Sequence, residues 1–141
     1  MAGTGEAEAM LKSVPIFEGL TNKELQAVMS SAKEIEYAAG REIVKEGATG
    51  VGFHLILDGE ADVIVGDHSQ AKLGPGDYFG EMSLIDGGPR SATVKADSAV
   101  RTLSLASWEF TPLLDSNPSI ARKMLVELSR RLRAAERSHT H

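Results

Sequence analysis

Between Lys33 and Leu105 glycine recurs at positions 40, 47, 50, 52, 59, 66, 74 and 76, a spacing that leaves room for many short strands but for no long helix. Within that stretch Phe53, Leu55 and Leu57 alternate with His54 and Ile56, and Val63 and Val65 alternate after the turn Asp58-Gly59-Glu60. Period-two runs joined by a glycine turn predict paired antiparallel strands, and Val100, Leu103 and Leu105 predict a last one. Closely spaced turns between short strands favour a double-sheet roll of the jelly-roll type.

The flanks obey a different period. Met10, Leu11, Val14, Ile16 and Phe17 form an apolar cluster broken by Pro15, which predicts a short helix ending near Ser13. Thr21-Asn22-Lys23-Glu24 reads as a capping box ahead of Leu25, Val28 and Met29, so a helix is expected over about Asn22 to Ala32. Beyond Ser107, the residues Trp108, Phe110, Leu113 and Leu114 suit a short helix closed by Asn117-Pro118. Ile120, Met124, Leu125, Leu128 and Leu132 trace one face of a longer helix over about Ser119 to Arg137, with Arg122, Lys123, Arg130, Arg133 and Arg137 on the other. That apolar stripe either packs on the roll or pairs with a second copy; its short length favours core packing, so a monomer or a weak dimer through this helix is expected. The fold class is therefore α+β, mainly β: a double-stranded β-helix with N-terminal helices and two C-terminal helices. Residues 1–9 are expected to be a mobile segment, 10–137 one domain and 138–141 a loose tail.

Composition removes several function classes. Without cysteine there is no disulfide framework, no thiolate metal site and no thiol nucleophile. No apolar run is long enough to span a bilayer, and MAGTGEAEAM lacks the regions of a signal peptide, so a cytoplasmic protein is expected. A net charge of −5 argues against non-specific coating of nucleic acid. Of the four histidines, His54 and His68 lie apart and His139 and His141 sit in the tail, which does not make the clustered set a metal site needs. Ser83 and Ser91 have no local base to activate them, so no catalytic residue is assigned.

The chemistry concentrates in FGEMSLIDGGPRSATV, Phe79 to Val94. Arg90 carries a planar, always charged guanidinium that can meet two phosphate oxygens at once. Glu81, while ionised, only accepts hydrogen bonds; it repels a phosphate but can accept a hydrogen bond from a neutral sugar hydroxyl beside it. Gly80 lets backbone approach a ligand closely, a helical turn starting there would aim N–H groups at the charge, and Ser91 adds a hydroxyl. A sugar with a ring phosphate offers every group that this set could bind.

The pattern F-G-E-x-S-L, a glycine-rich turn and P-R-S-A-T-V resembles the phosphate-binding cassette of cyclic-nucleotide-binding domains, as in protein kinase A regulatory subunits, cyclic-nucleotide-gated channels and Crp/Fnr-type regulators. The turn Leu73-Gly74-Pro75-Gly76-Asp77-Tyr78-Phe79 and the order of helices and roll resemble that family as well, over roughly residues 10 to 137. The resemblance implies that Arg90 pairs with the cyclic phosphate, that Glu81 takes the ribose 2′-hydroxyl, and that Gly80, Met82, Ser83 and Ser91 complete the cage. It further implies that the last helix closes over the base, with Leu128, Arg131, Leu132 and Ala135 as candidate lid contacts. Ala135 stands where Crp-type activators use a hydroxyl residue to recognise adenine, and the missing hydroxyl leaves base selectivity open between cAMP, the expected ligand, and cGMP. The implied function is a non-catalytic sensor without its own output domain, which passes ligand state through its last helix to a separate effector protein and does not bind DNA by itself. A scaffold module of the same fold that no longer responds to nucleotide is the alternative, and a metal-dependent roll enzyme a more distant one.

Overall fold

The computed structural model describes residues 4–48, 52–86 and 90–139. Helix α1 (Thr4–Lys12), a 3-10 turn (Pro15–Phe17) and α2 (Asn22–Ser31) precede the roll. Thr21 and Glu24 do form the capping box: Thr21 Oγ1 accepts from the Glu24 N–H at 3.2 Å, and the Thr21 N–H donates to Glu24 Oε1 at 2.8 Å. Eight strands follow, β1 (Lys33–Tyr37), β2 (Glu42–Val44), β3 (Gly52–Asp58), β4 (Ala61–Val65), β5 (His68–Leu73), β6 (Tyr78–Phe79), β7 (Thr93–Ala96) and β8 (Val100–Ala106), with α3 (Glu81–Asp86) set between β6 and β7. Helices α4 (Ser107–Ser116) and α5 (Pro118–His139) end the chain.

The strands make two antiparallel sheets in the orders β1-β8-β3-β6 and β2-β7-β4-β5, the double-sheet roll that the glycine spacing predicts. Two cores divide the apolar residues between them. Phe53, Leu55, Leu57, Leu103 and Leu105 point from the first sheet into the helices, meeting Leu11, Phe17, Leu25, Phe110, Ile120 and Met124. Ile56, Ala61, Val94, Ala96 and Val100 fill the space between the sheets.

Three sequence expectations need correction. The period-two alternation in β3 is not an alternation of burial, because helices cover the outer face of the first sheet and the second sheet covers its inner face; residues 52–57 are all buried. Residues 4–9, expected to be mobile, are helical and bury Ala7; residues 1–3 lie outside the described residues. The stripe on α5 is not all core: Ile120 and Met124 are buried, whereas Leu125 and Leu132 are 64% and 62% exposed. Leu125 faces away from the domain, and along the inner face burial fades from Met124 through half-buried Leu128 to exposed Leu132. Of the tail, Thr140 and His141 lie outside the described residues, and the side chains of Ser138 and His139 are likewise not described.

Candidate functional site

Strand β6 pairs with the start of β3, with Phe79 opposite His54 and Tyr78 opposite Leu55, and ends at Gly80. Gly80 has φ 86°, a left-handed conformation, and a Cβ there would collide with both the Arg90 guanidinium and the Gly52 carbonyl. The position requires glycine twice over. Helix α3 begins at once, the Leu84 N–H donating to the Gly80 carbonyl at 3.0 Å.

Arg90 is fixed by its backbone and by its side chain. Its N–H donates to the Ala48 carbonyl at 2.9 Å and its carbonyl accepts from the Gly47 N–H at 2.9 Å, which extends the β2–β7 pairing. The guanidinium turns inward, and Nη2 donates to the Gly52 carbonyl. Arg90 is only 8% exposed, yet among the described residues no carboxylate lies within ion-pair distance of it. Burial pushes its pKa below the ordinary arginine value. A buried, unpaired, permanently charged group is costly in the absence of an anion, and the geometry leaves its unused N–H groups as anion donors.

Glu81 follows Gly80 directly, so the carboxylate and the guanidinium are held on either side of one glycine. The carboxylate is partly exposed and faces α5, where Arg131 Nη1 lies 3.6 Å from Glu81 Oε1. Arg131 also reaches Glu127, at 3.7 Å, and the Tyr78 hydroxyl. Burial first, and then the Glu81 charge, raise the Tyr78 pKa, while Arg131 works against them. The last helix is thus docked on the start of the cassette through a single cation.

The other candidates are less engaged. Leu128 is half-buried on α5, Leu132 and Ala135 are exposed, and Ser91 is exposed beside Arg90. Met82 and Ser83 belong to α3, but their side chains are not described, and turn residues 87–89 lie outside the described residues. Two contacts escaped the sequence reading. The Gly52 carbonyl that anchors Arg90 lies 38 residues before it, and the Glu24 carboxylate of the capping box also binds Ser119 and Lys123 of α5. Among the described residues no group of three or more His, Asp or Glu side chains could hold a metal ion, and no helix is long and apolar enough to cross a membrane.

Residues 34–117 match the family model described as cyclic nucleotide-binding domain. A cAMP-dependent protein kinase regulatory subunit of Colletotrichum orbiculare is 34% identical over 118 residues, covering 82% of this chain and 30% of the relative. The cyclic AMP receptor protein of Thermus thermophilus is 33% identical over 131 residues, covering 89% of this chain and 61% of the relative. The chain therefore spans less than two thirds of either. The crystal structure of the N-terminal domain of a transcriptional regulator from Streptomyces coelicolor superposes with a TM-score of 0.86 at 28% identity, covering 94% of this chain and 96% of that one.

Proposed function

The chain belongs to the cyclic nucleotide-binding domain family, and on that premise we propose that it is a non-catalytic cAMP sensor whose last helix passes the state of the site to a partner protein. The observation that carries the reading is Arg90: a guanidinium 8% exposed, tied to a backbone carbonyl and without a carboxylate among the described residues. A cyclic phosphate supplies the missing charge. Glu81, on the other side of Gly80, accepts the ribose 2′-hydroxyl, and the backbone of Met82 and Ser83 with the hydroxyl of Ser91 closes the cage around the phosphate.

The preference for cAMP over cGMP draws support from the kinase regulatory subunit and the cyclic AMP receptor protein, each about a third identical to this chain. Arg131, already on Glu81, ties α5 to the occupied cassette, with Leu128 behind it and Leu132 and Ala135 free to cover the base. Ligand binds the docked position of α5 better than the undocked one, and the shift can be no larger than that difference in affinity. The exposed side chains Leu125 and Val126 are the surface through which a partner reads the helix.

Isothermal titration of the chain with cAMP and with cGMP tests the reading. Saturable binding of cAMP at sub-millimolar concentration, tighter than that of cGMP, is expected; no binding of either overturns it, and tighter binding of cGMP overturns the choice of ligand. Arg90→Ala is expected to weaken binding by about 2 to 5 kcal/mol, because the phosphate loses a charged and mostly buried partner. A loss below about tenfold, or about 1.4 kcal/mol, would remove Arg90 from the role.

A further inference from the structure

The charges of this chain are unevenly divided. Helix α5 carries six Lys or Arg and two Glu, whereas the rest of the chain carries nine cations and eighteen carboxylates. The net charge of −5 therefore hides one strongly basic helix on an acidic body. On the surface that excess has a definite place. Arg122, Val126, Arg130, Arg133 and Arg137 follow one another at three or four residues, so they share one stripe, and all five are exposed. The stripe is separate from the inner face of Met124 and Leu128 and from Arg131, which rests on Glu81. Among the described residues no carboxylate comes within ion-pair distance of Arg122, Arg133 or Arg137. Arg130 reaches only Glu127, at 3.5 Å, with its side chain 74% exposed.

The start of the stripe is one bank of a groove of about 490 Å³, whose other bank is Pro15, Glu18 and Gly19, in and just after the 3-10 turn. Pro15 is half-buried and Val126 is 47% exposed, so the groove's apolar wall is open to solvent. Lys123 is spent on Glu24, which leaves Arg122 and Arg130 as the accessible cations of the α5 bank. We propose that this groove and the stripe continuing from it dock an acidic amphipathic helix of a partner protein, with one apolar side chain between Pro15 and Val126 and Asp or Glu side chains along Arg122, Arg130, Arg133 and Arg137. The proposal rests on the reading of α5 as the element that a partner reads, and it supplies that partner's chemistry. Acidity follows from the arginines that lack a carboxylate, and the apolar anchor follows from the open wall of the groove. The helical form follows from the length of the stripe: Arg122 and Arg137 stand about 22 Å apart along the axis, a span that a second helix matches with side chains at the same spacing. Glu18, on the far bank, repels carboxylates there and so keeps the acidic face of the partner on the α5 side. Other polyanions suit the surface less well. A flat bilayer cannot enter a groove, and Glu18 and Glu127 in its walls oppose a phosphate backbone.

The full chain would be titrated, by fluorescence anisotropy, into a labelled helical peptide of about 18 residues made of Leu, Ala and Glu, with Leu on one stripe and Glu beside it. Saturable binding is expected, weakening about tenfold between about 50 and 300 mM salt as the charges are screened. Exchanging Glu for Lys, or Leu for Ser, in the peptide should cost about tenfold or more. On the protein, Arg122→Glu with Arg133→Glu should weaken binding about tenfold, and Arg122→Lys with Arg133→Lys should restore it to within about threefold. Both positions are exposed, and urea unfolding of the same samples checks that the fold is kept. No saturable binding at sub-millimolar concentration, equal binding of the Glu and Lys peptides, or an unaltered affinity in the charge-reversed chain overturns the proposal. So does tighter binding, through the same arginines, of phosphatidylserine–phosphatidylcholine vesicles or of duplex DNA. The peptide titration needs no nucleotide, so the docking surface and the sensor function fail separately. A chain that binds the peptide and ignores cAMP overturns the sensor alone, and one that binds cAMP and ignores the peptide overturns the docking surface alone.

Discussion

The two ends of α5 are held to the rest of the molecule by ion pairs of the same chemical kind and very different strength. At its start, Lys123 Nζ lies 2.5 Å from Glu24 Oε1 of α2, Ser119 Oγ donates to Oε2, and the Thr21 N–H donates to the same carboxylate. Glu24 is buried, and those partners, Lys123 foremost and then Ser119, lower its pKa to about 2. Toward its other end, Arg131 meets Glu81 of the cassette at 3.6 Å, with both side chains partly exposed and Glu127 competing for the same guanidinium. Along the inner face, burial falls from Met124, 3% exposed, through half-buried Leu128 to Leu132, 62% exposed. The contrast teaches that α5 has a fixed and a loose end: its first turns belong to the helical core, and its later turns rest on the cassette through one weak ion pair.

The fixed end gives the largest expected effect. Glu24→Ala strips three donors of their acceptor in a buried site, and a loss of about 2 to 3 kcal/mol in urea unfolding is expected. A change below about 0.5 kcal/mol, the range of ordinary surface substitutions, would make this cluster no firmer than the loose end.

Acid should reveal the same asymmetry by a second route. Glu24 has its folded pKa lowered from 4.5 to about 2, so between those values the unfolded chain binds the proton that the folded chain refuses. Its contribution is complete above pH 4.5 and disappears as pH falls toward about 2. The gap in stability between the native chain and Glu24→Gln should therefore close across that window. A gap that stays constant through it would place the titration elsewhere.

Sequence reading was strong where the signal is local and weak where it is not. The capping box of Thr21 and Glu24 spans four residues, and it is present as read. The second duty of Glu24 joins residues 95 and 99 positions apart, and no periodicity reports on such a pair. Glycine spacing told of a roll, because turn chemistry is local; it did not tell that β3 is covered on both faces, because that depends on helices from both ends of the chain. The cassette was legible as a string of residue types, with Gly80 at a position where only glycine fits. That Arg90 would lean on the Gly52 carbonyl, and that His54 Nε2 would find no partner among the described residues, are facts of three-dimensional packing.

The loose end yields the smallest stability effect and the sharpest separation of roles. An ion pair at this distance between partly exposed groups is worth about 0 to 1 kcal/mol, and salt weakens it further, so Arg131→Ala should leave unfolding almost unchanged. Binding should respond more. With Arg131 gone, the Glu81 charge stands uncompensated near an incoming phosphate and α5 loses its hold on the cassette, so affinity for cAMP should fall by about three- to tenfold, or about 1 kcal/mol. Calorimetric titration and urea unfolding on the same preparation measure the two quantities side by side. An Arg131→Ala chain that unfolds as readily as Glu24→Ala, with cAMP affinity unchanged, would show a helix pinned equally at both ends. Such a helix braces the domain and cannot report on its ligand.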